Sequence, residues 1–224
     1  MNTVGLVLVS HSAKLAEGLA ELAAQMAPDV AIAAAGGLPG GGIGTDYDEV
    51  VAAVQRADSG AGVVLLFDLG SAQMTAELAV ESLADPDAAV VVYAPLVEGA
   101  VAAAVAAQGG ADRSAVAAAA ASAGAPPDLA GASGDADGGA TELTLRNDVG
   151  LHARPAALVV RSLTGLDAEV KIRFGEQEAD ARSVLALMSL GARAGDRIEV
   201  RAVGAQSNEA LRKVQDLVET NFGE

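Results

Sequence analysis

The chain of 224 residues contains no cysteine and only two histidines. The absence of cysteine excludes disulfide bonds and thiolate metal sites, and it fits a reducing compartment. Two histidines without cysteine also argue against a zinc centre, because zinc in proteins usually takes three or four such ligands. We therefore expect neither a metal nor a cofactor.

The chain also lacks a long apolar run and a cationic leader. Its longest uncharged alanine- and valine-rich runs, residues 99–107 and 114–125, are too short for a membrane span. Residues 4–9 are too short for the apolar core of a signal peptide. We therefore expect a soluble, cytoplasmic protein that does not bind membranes.

Basic residues are scarce in the first half of the chain. Residues 1–121 hold 3 basic and 14 acidic residues, residues 122–140 hold 0 and 3, and residues 141–224 hold 11 and 13. The formal charge of −16 is therefore mainly an N-terminal property. A nucleic-acid-binding protein needs a basic surface, so this distribution argues against that class.

Residues 122–140 are rich in glycine, alanine, serine and proline, with almost no bulky side chain. This composition predicts a flexible linker, whose root-mean-square span would be about 25 Å. We therefore expect two domains, residues 1–121 and residues 141–224, able to meet in several orientations.

The first domain alternates short apolar runs with amphipathic stretches. Residues 4–9, 30–34, 63–67 and 89–93 have the composition of buried strands. The spacing of Leu15, Leu19, Leu22 and Met26 predicts one apolar helix face. Helix caps are predicted at Thr45–Asp46 and at Ser71, with the latter helix continuing through residue 83. This order predicts an α/β fold with a doubly wound parallel sheet.

Ligands of such sheets bind at the carboxyl ends of the strands. In this chain His11, the segment 68–71 and the segment 94–96 all follow predicted strands. We expect these three strand ends to meet in one crevice.

The second domain has a different pattern. Strands are predicted at residues 141–146 and 169–174, near residue 178, and at residues 197–203. Helices are predicted at residues 154–163, from Ser183, and at residues 208–220. The order β-α-β-β-α-β-α, with hairpins in place of crossovers, indicates a small α+β open-faced sandwich.

Both histidines are predicted to lie just before a helix, where unpaired N–H groups favour an anion. A neutral imidazole is a nucleophile near pH 7 and can carry a phosphoryl group. At His152, Pro155 suits the first helical turn, and this frees the N–H groups around Ala153 to face a phosphate. The Arg154 guanidinium can add two further donors.

Residues 147–156 and 181–191 resemble the two signature segments of HPr, the histidine phosphocarrier of the phosphoenolpyruvate-dependent phosphotransferase system. The resemblance covers residues 141–224. It implies that His152 accepts a phosphoryl group from enzyme I and that Arg154 steadies it. It also places Ser183 where some members are phosphorylated for regulation, although a plain helix N-cap is the interpretation that the residues favour.

The segments 9–18, 43–46, 68–72 and 94–99, together with the tail 221–224, resemble the phosphotransfer subunit of the phosphoenolpyruvate-dependent dihydroxyacetone kinase. The first domain is thereby similar to mannose-class enzyme IIA. The resemblance implies that His11 is a second phosphoryl carrier whose ring Asp68 orients; an ordinary loop role for Asp68 stays open. Donors to the phosphate are then expected from Ser12, Thr45, Gly70 and Ser71.

Together the two resemblances imply a relay from enzyme I to His152, then to His11, then to ADP bound on the kinase subunit. Some members carry a third domain resembling enzyme I, but no histidine remains here for one, so we expect a separate enzyme I.

Four arginines are expected to give the His152 face a positive patch that meets the acidic first domain: Arg146, Arg154, Arg161 and Arg182. The resemblance also implies a homodimer through the first domain, where alanine-rich helices such as residues 97–107 could pack closely against a partner.

Two other functions fit part of the sequence. One is a mannose-class IIA–HPr fusion that donates to a IIB component of a sugar permease. The other is a regulatory interaction module controlled through Ser183. Two intact phosphoacceptor histidines speak against the second alternative.

Overall fold

The computed structural model describes residues 2–124 and 140–223, which form two compact units. Most of the predicted linker, residues 125–139, lies outside the described residues. Ser122, where the linker was predicted to begin, is instead the last residue of a helix, because an alanine-rich run favours helix. Within the described residues, no helix has the length and apolar character needed to cross a lipid bilayer.

The first unit is a four-stranded parallel sheet with helices on both faces. Its elements are, in chain order, β1 (Gly5–Ser10), α1 (Ala13–Met26), β2 (Ile32–Gly36), α2 (Tyr47–Ala57), β3 (Val63–Phe67), α3 (Gly70–Glu81), β4 (Ala89–Val91), α4 (Leu96–Gln108) and α5 (Arg113–Ser122). The strand order is β2-β1-β3-β4. The doubly wound parallel sheet is therefore confirmed, and the strand order reverses between β1 and β3.

The two faces of β1 carry the two cores of this unit. Leu6 and Leu8 belong to a cluster with α1, α4 and α5, whereas Val7 and Val9 belong to a cluster with α2 and α3. Alternate strand residues point to opposite faces, so a continuous apolar run is needed when both faces are covered. This packing fixes the carboxyl end of β1, from which His11 projects.

Two details of the predicted helices are wrong. In α1 the buried residues are Ala16, Leu19, Ala23 and Met26, whereas Leu15 and Leu22 are each 44% exposed. Leu19 and Met26 are buried as predicted, while Ala16 and Ala23 take the places of Leu15 and Leu22 because α1 packs closely on the sheet and on α4, where alanine allows a short approach. In the third helix the N-cap is Leu69, and Ser71 lies inside α3, which ends at Glu81.

The alanine-rich face of α4 is covered within the chain. Ala100, Ala103, Ala104 and Ala107 are fully buried and belong to the core cluster shared with α1 and α5. This face therefore does not support the expectation of a homodimer through residues 97–107, because α1, α5 and the sheet already occupy it.

The second unit is a four-stranded antiparallel sheet with three helices. Its elements are β5 (Ala140–Thr144), α6 (Ala153–Leu163), β6 (Glu169–Phe174), β7 (Gln177–Asp180), α7 (Val184–Ser189), β8 (Arg197–Val203) and α8 (Ser207–Glu219). The strand order is β5-β8-β6-β7. Along β8 burial alternates residue by residue, so one face of the sheet is covered and the other is open. The predicted open-faced sandwich is confirmed.

Candidate phosphoryl-carrier sites

His11 lies at the carboxyl end of β1, opposite Asp68 at the end of β3. The Asp68 carboxylate accepts hydrogen bonds from His11 Nδ1 at 2.9 Å and from the His11 backbone N–H at 2.9 Å. The side chains are 20% and 14% exposed, respectively. The predicted contact between His11 and Asp68 is therefore present, at the point where the strand order reverses.

Four donors surround the Asp68 carboxylate. Besides the two from His11, the Ser10 hydroxyl donates at 2.9 Å and the Leu69 N–H at 2.7 Å. Burial by itself raises the pKa of Asp68, but the hydrogen bonds from His11, Ser10 and Leu69 outweigh it and lower the pKa below its ordinary value of 3.8. Asp68 is thus ionised at neutral pH and acts only as an acceptor.

An ionised Asp68 fixes the tautomer of the His11 ring. Since a carboxylate cannot donate, Nδ1 must carry the proton, which leaves the lone pair of the neutral ring on Nε2. The Ser71 hydroxyl lies 2.7 Å from that Nε2 atom and donates to it. The nucleophilic nitrogen therefore faces the N-terminus of α3.

The other residues predicted around His11 lie on two different helices. Ser12 is the N-cap of α1, and its hydroxyl accepts from the Leu15 N–H at 3.4 Å. Gly70 is the first residue of α3, where backbone N–H groups have no intrahelical acceptor. The helix that meets His11 Nε2 is therefore α3, while α1, which follows His11 in sequence, is capped by Ser12.

Thr45 is linked to this site through Thr75. The two hydroxyls are 2.9 Å apart, and the Thr75 hydroxyl also lies 3.2 Å from the Ser71 carbonyl. Both threonines line a groove of about 470 Å³ between α2 and α3, together with Met74 and Leu78. Thr45 therefore reaches Ser71 through Thr75, and Thr75 was not among the predicted residues.

Ser10 was also missed by the sequence reasoning. It is fully buried, donates to Asp68, and accepts from the Ser12 N–H at 3.0 Å. The signal in the sequence was a polar residue at the end of an apolar strand. Such a residue needs a hydrogen-bonding partner when it is buried.

His152 is the N-cap residue of α6. Ala153 and Arg154 occupy the first two helical positions, and Pro155 the third, where its missing N–H leaves no helical bond unmade. Arg154 is exposed, while Pro155 is buried. His152 is thus placed as predicted at a helix N-terminus, with a guanidinium one position inside the helix.

The loop before His152 depends on Gly150 and Asn147. Gly150 has a φ of +81°, and a Cβ built on it would lie 2.3 Å from the Ala192 carbonyl oxygen. The buried Asn147 donates through Nδ2 to the Gly150 carbonyl at 2.9 Å. These contacts fix the backbone that leads into His152.

Two of the four arginines predicted near His152 are elsewhere. The Arg182 guanidinium donates to the carbonyls of Leu166 and Ala168 at 2.8 and 2.9 Å, beyond the C-terminal end of α6. Arg161 lies in the last turn of α6. A helix of 11 residues is about 16 Å long, so Arg161 and Arg182 lie at the end opposite His152. Their place in the predicted patch is therefore wrong.

Ser183 is the N-cap of α7, and its hydroxyl accepts from the Ala186 N–H at 3.2 Å. The hydroxyl thus has a capping contact, and its phosphorylation stays a prediction. Across the described parts of the chain, no cluster of three or more histidine, aspartate or glutamate side chains is arranged to bind a metal ion.

Both units match known protein families. Residues 5–117 match the family described as the PTS system fructose IIA component, and residues 140–220 match the family described as the PTS HPr component phosphorylation site.

Three curated relatives span the chain or one of its units. The phosphoryl donor subunit DhaM of the PEP-dependent dihydroxyacetone kinase of Providencia stuartii is 36% identical over 242 residues, covering 99% of this chain and 50% of that protein. The Lactococcus lactis DhaM is 38% identical over 109 residues, covering 49% of this chain and 86% of that subunit. The phosphocarrier protein NPr of Escherichia coli is 44% identical over 81 residues, covering 36% of this chain and 90% of NPr.

The chain spans about half the length of the Providencia relative, but most of the shorter Lactococcus subunit. The IIA match places His11 inside the first family and the HPr match places His152 inside the second. The chain therefore belongs to the DhaM family of dihydroxyacetone kinase phosphotransferase subunits, with a IIA-like part joined to an HPr-like part.

Proposed function

We propose that this protein is a phosphohistidine relay that carries a phosphoryl group first on His152 and then on His11. The observation that carries this proposal is the pair of contacts on the His11 ring. Asp68 holds the proton on Nδ1, and Ser71 lies 2.7 Å from Nε2 at the N-terminus of α3. A ring oriented in this way has one nitrogen ready to attack phosphorus.

The transfer between the histidines needs no proton from outside the two rings, because the phosphorylated His152 ring carries a proton on its other nitrogen and leaves as neutral imidazole. The bond between phosphorus and the His152 ring breaks as a bond from phosphorus to His11 Nε2 forms. Asp68 stabilises the positive charge that develops on the His11 ring. The Ser71 hydroxyl and the first N–H groups of α3 then face the phosphoryl oxygens.

The names of the relatives support the kinase context of this proposal. Their names describe a phosphoryl donor subunit of a kinase that depends on phosphoenolpyruvate. In our proposal, enzyme I of the phosphotransferase system charges His152, and His11 donates to ADP held on the nucleotide-binding kinase subunit. The ATP formed there would phosphorylate dihydroxyacetone. A homodimer through the first unit stays part of the proposal, but it would need a face other than α4.

Radiolabelling tests the relay. With enzyme I and labelled phosphoenolpyruvate, the wild-type protein should acquire acid-labile phosphate on both histidines. His152→Ala should remove both labels, whereas His11→Ala should keep the label on His152. A label that reaches His11 in the His152→Ala protein would show that the proposed order is wrong.

A second experiment identifies the acceptor. The labelled wild-type protein is mixed with the ADP-loaded kinase subunit or with a mannose-class IIB component. Formation of labelled ATP supports the kinase function, while label on the IIB component supports the sugar permease. Retention of label with both acceptors would favour the regulatory module controlled through Ser183, which Ser183→Ala and Ser183→Asp would then test.

A further inference from the structure

The turn at residues 192–196 packs against the loop that precedes His152. The Leu151 N–H donates to the Ala192 carbonyl at 2.9 Å. A Cβ built on Gly150 would lie 2.5 Å from the Arg193 Cα atom. With a bond of about 1.5 Å from Cα to Cβ, the two Cα atoms are no more than about 4 Å apart.

Hydrogen bonds hold this turn in place. The Arg193 N–H donates to the Asp196 carboxylate at 2.8 Å, and the Asp196 N–H donates back to the Arg193 carbonyl at 3.0 Å. The Gly195 N–H donates to the Leu145 carbonyl at 2.8 Å. The Cα atom of Arg193 is therefore fixed beside the His152 loop, and the contacts that fix it are made by backbone atoms of Arg193.

The Arg193 side chain itself is exposed and makes no ion pair within residues 140–223. Arg173, by contrast, pairs with Glu199, and Arg182 is bound to two carbonyls. Gly150 and His152 are two residues apart, a span of at most about 7 Å. A side chain as long as arginine can therefore reach a phosphoryl group on the His152 ring.

We propose that Arg193 is a second phosphate-contacting residue of the His152 site, in addition to Arg154; this inference rests on the proposed function. The negative charge of a transferring phosphoryl group is spread over three oxygens. Arg154 and the N–H groups of α6 approach from the helix, while Arg193 approaches from the turn. Two guanidinium groups can contact more of these oxygens than one. Arg193 neither gains nor loses a proton.

Replacing Arg193 with glutamine in the full chain tests the contact. The rate constant for labelling His152 by enzyme I should fall by about tenfold, because one charge-assisted contact is lost. Arg193→Lys should recover part of the rate, since it keeps the charge. Arg212→Gln is the matched control: Arg212 is exposed on α8, its Nε donates to the carbonyl of Asn208 in the same helix, and the change in net charge is the same.

A ³¹P titration distinguishes a phosphate contact from a merely structural role. In a His11→Ala background the phosphorus signal comes from His152 alone. A guanidinium contact favours the dianionic phosphoryl group, so Arg193→Gln should raise the phosphoryl pKa by about half a unit while Arg212→Gln leaves it unchanged.

The proposal is overturned if Arg193→Gln changes neither the labelling rate nor the phosphoryl pKa. It is also overturned if the only change is a higher KM of enzyme I for this protein, because Arg193 would then contact enzyme I and not the phosphate. If the wild-type protein takes no label on His152, the proposed function fails first and this inference falls with it. That result is obtained before any Arg193 variant is compared.

Discussion

At the scale of single residues, Asp68 holds the His11 ring in one orientation. Its carboxylate binds the ring through Nδ1 and binds the backbone of the same residue. The ring is thus held in both orientation and tautomer, which leaves Nε2 toward Ser71. These contacts favour the orienting role of Asp68, which the sequence left open beside an ordinary loop role.

Replacing Asp68 with asparagine should slow the phosphorylation of His11. An amide of the same shape loses the charge and can present its NH₂ group to Nδ1, which favours the wrong tautomer. We expect a loss of about 10- to 100-fold in the rate, the range found when a partner that orients a metal-binding histidine is removed. Quenched-flow labelling of His11 measures this rate, and Asp58→Asn is a control on an exposed loop.

The same substitution should change how stability depends on pH. The pKa of Asp68 in the folded protein lies below its ordinary value of 3.8, so its ionised form is favoured by folding. Its contribution to the free energy of unfolding is fully present above pH 3.8 and is lost as the pH falls through the lower folded pKa. The difference between wild type and Asp68→Asn should shrink over that range.

Tyrosine fluorescence during urea unfolding measures this difference. The chain has two tyrosines, Tyr47 and Tyr93, and no tryptophan, so the signal reports on the first unit alone. A stability difference that stays constant from about pH 6 down to about pH 2 would contradict the assigned role of the carboxylate.

The sequence predicted His11 and Asp68 better than it predicted the residues that hydrogen-bond around them. His11 and Asp68 were predictable because parallel strands place their carboxyl ends along one edge. Ser10 and Thr75 were missed, since the hydrogen bonds that define them cross between elements distant in the chain. The position of Arg182 in the chain does not show where its long side chain ends, and the guanidinium is bound to the carbonyls of Leu166 and Ala168.

At the scale of elements, the two histidines use helix N-termini differently. His152 is itself the N-cap of α6, whereas His11 precedes α1 but faces α3. The sequence identified a helix after each histidine, which is correct. It did not identify α3 as the helix that meets Nε2, because that choice depends on the pairing of β1 with β3.

The loop before α6 offers a test of close backbone packing. Gly150 and Gly165 have nearly the same φ, +81° and +80°, but an added Cβ would have other atoms within 4 Å at Gly150 and none at Gly165. Gly165→Ala should therefore lose about 1–2 kcal/mol from the left-handed conformation alone. Gly150→Ala should lose more than this, and it should also slow the labelling of His152.

Hydrogen exchange of amides in β5, β6 and β8 measures the stability of this unit, and enzyme I labelling measures the rate. Equal effects of the two substitutions on stability, with no change in labelling, would show that the approach of Ala192 to Gly150 does not position His152.

The order of elements could be predicted because apolar runs and helix periods are local signals. β3, β6 and β8 have the predicted bounds. The buried face of α1 could not be predicted, because alanine occurs both in cores and on surfaces, and the sequence pattern does not show which alanines are buried. Serine is a common N-cap residue, but the Ser71 hydroxyl is hydrogen-bonded to the His11 ring.

At the scale of the whole molecule, the two proposed phosphoryl-carrier sites lie in units of different charge. The residues up to 121 have a formal charge of −11, and those from 141 onward have −2. Of the four arginines predicted for this face, Arg161 and Arg182 lie at the far end of α6, whereas Arg154 lies in its first turn beside His152. In our proposal, Arg193 adds a second guanidinium from the neighbouring turn.

In the proposed relay phosphate passes from His152 to His11, and direct transfer between two variants tests this step. His11→Ala protein is labelled on His152, separated from enzyme I and phosphoenolpyruvate, and mixed with His152→Ala protein. We predict that label leaves His152 and reaches His11 of the second protein. Label that stays on His152 in this mixture and also fails to reach His11 in the wild-type chain would contradict the relay, as would a His152→Ala protein that enzyme I charges directly on His11.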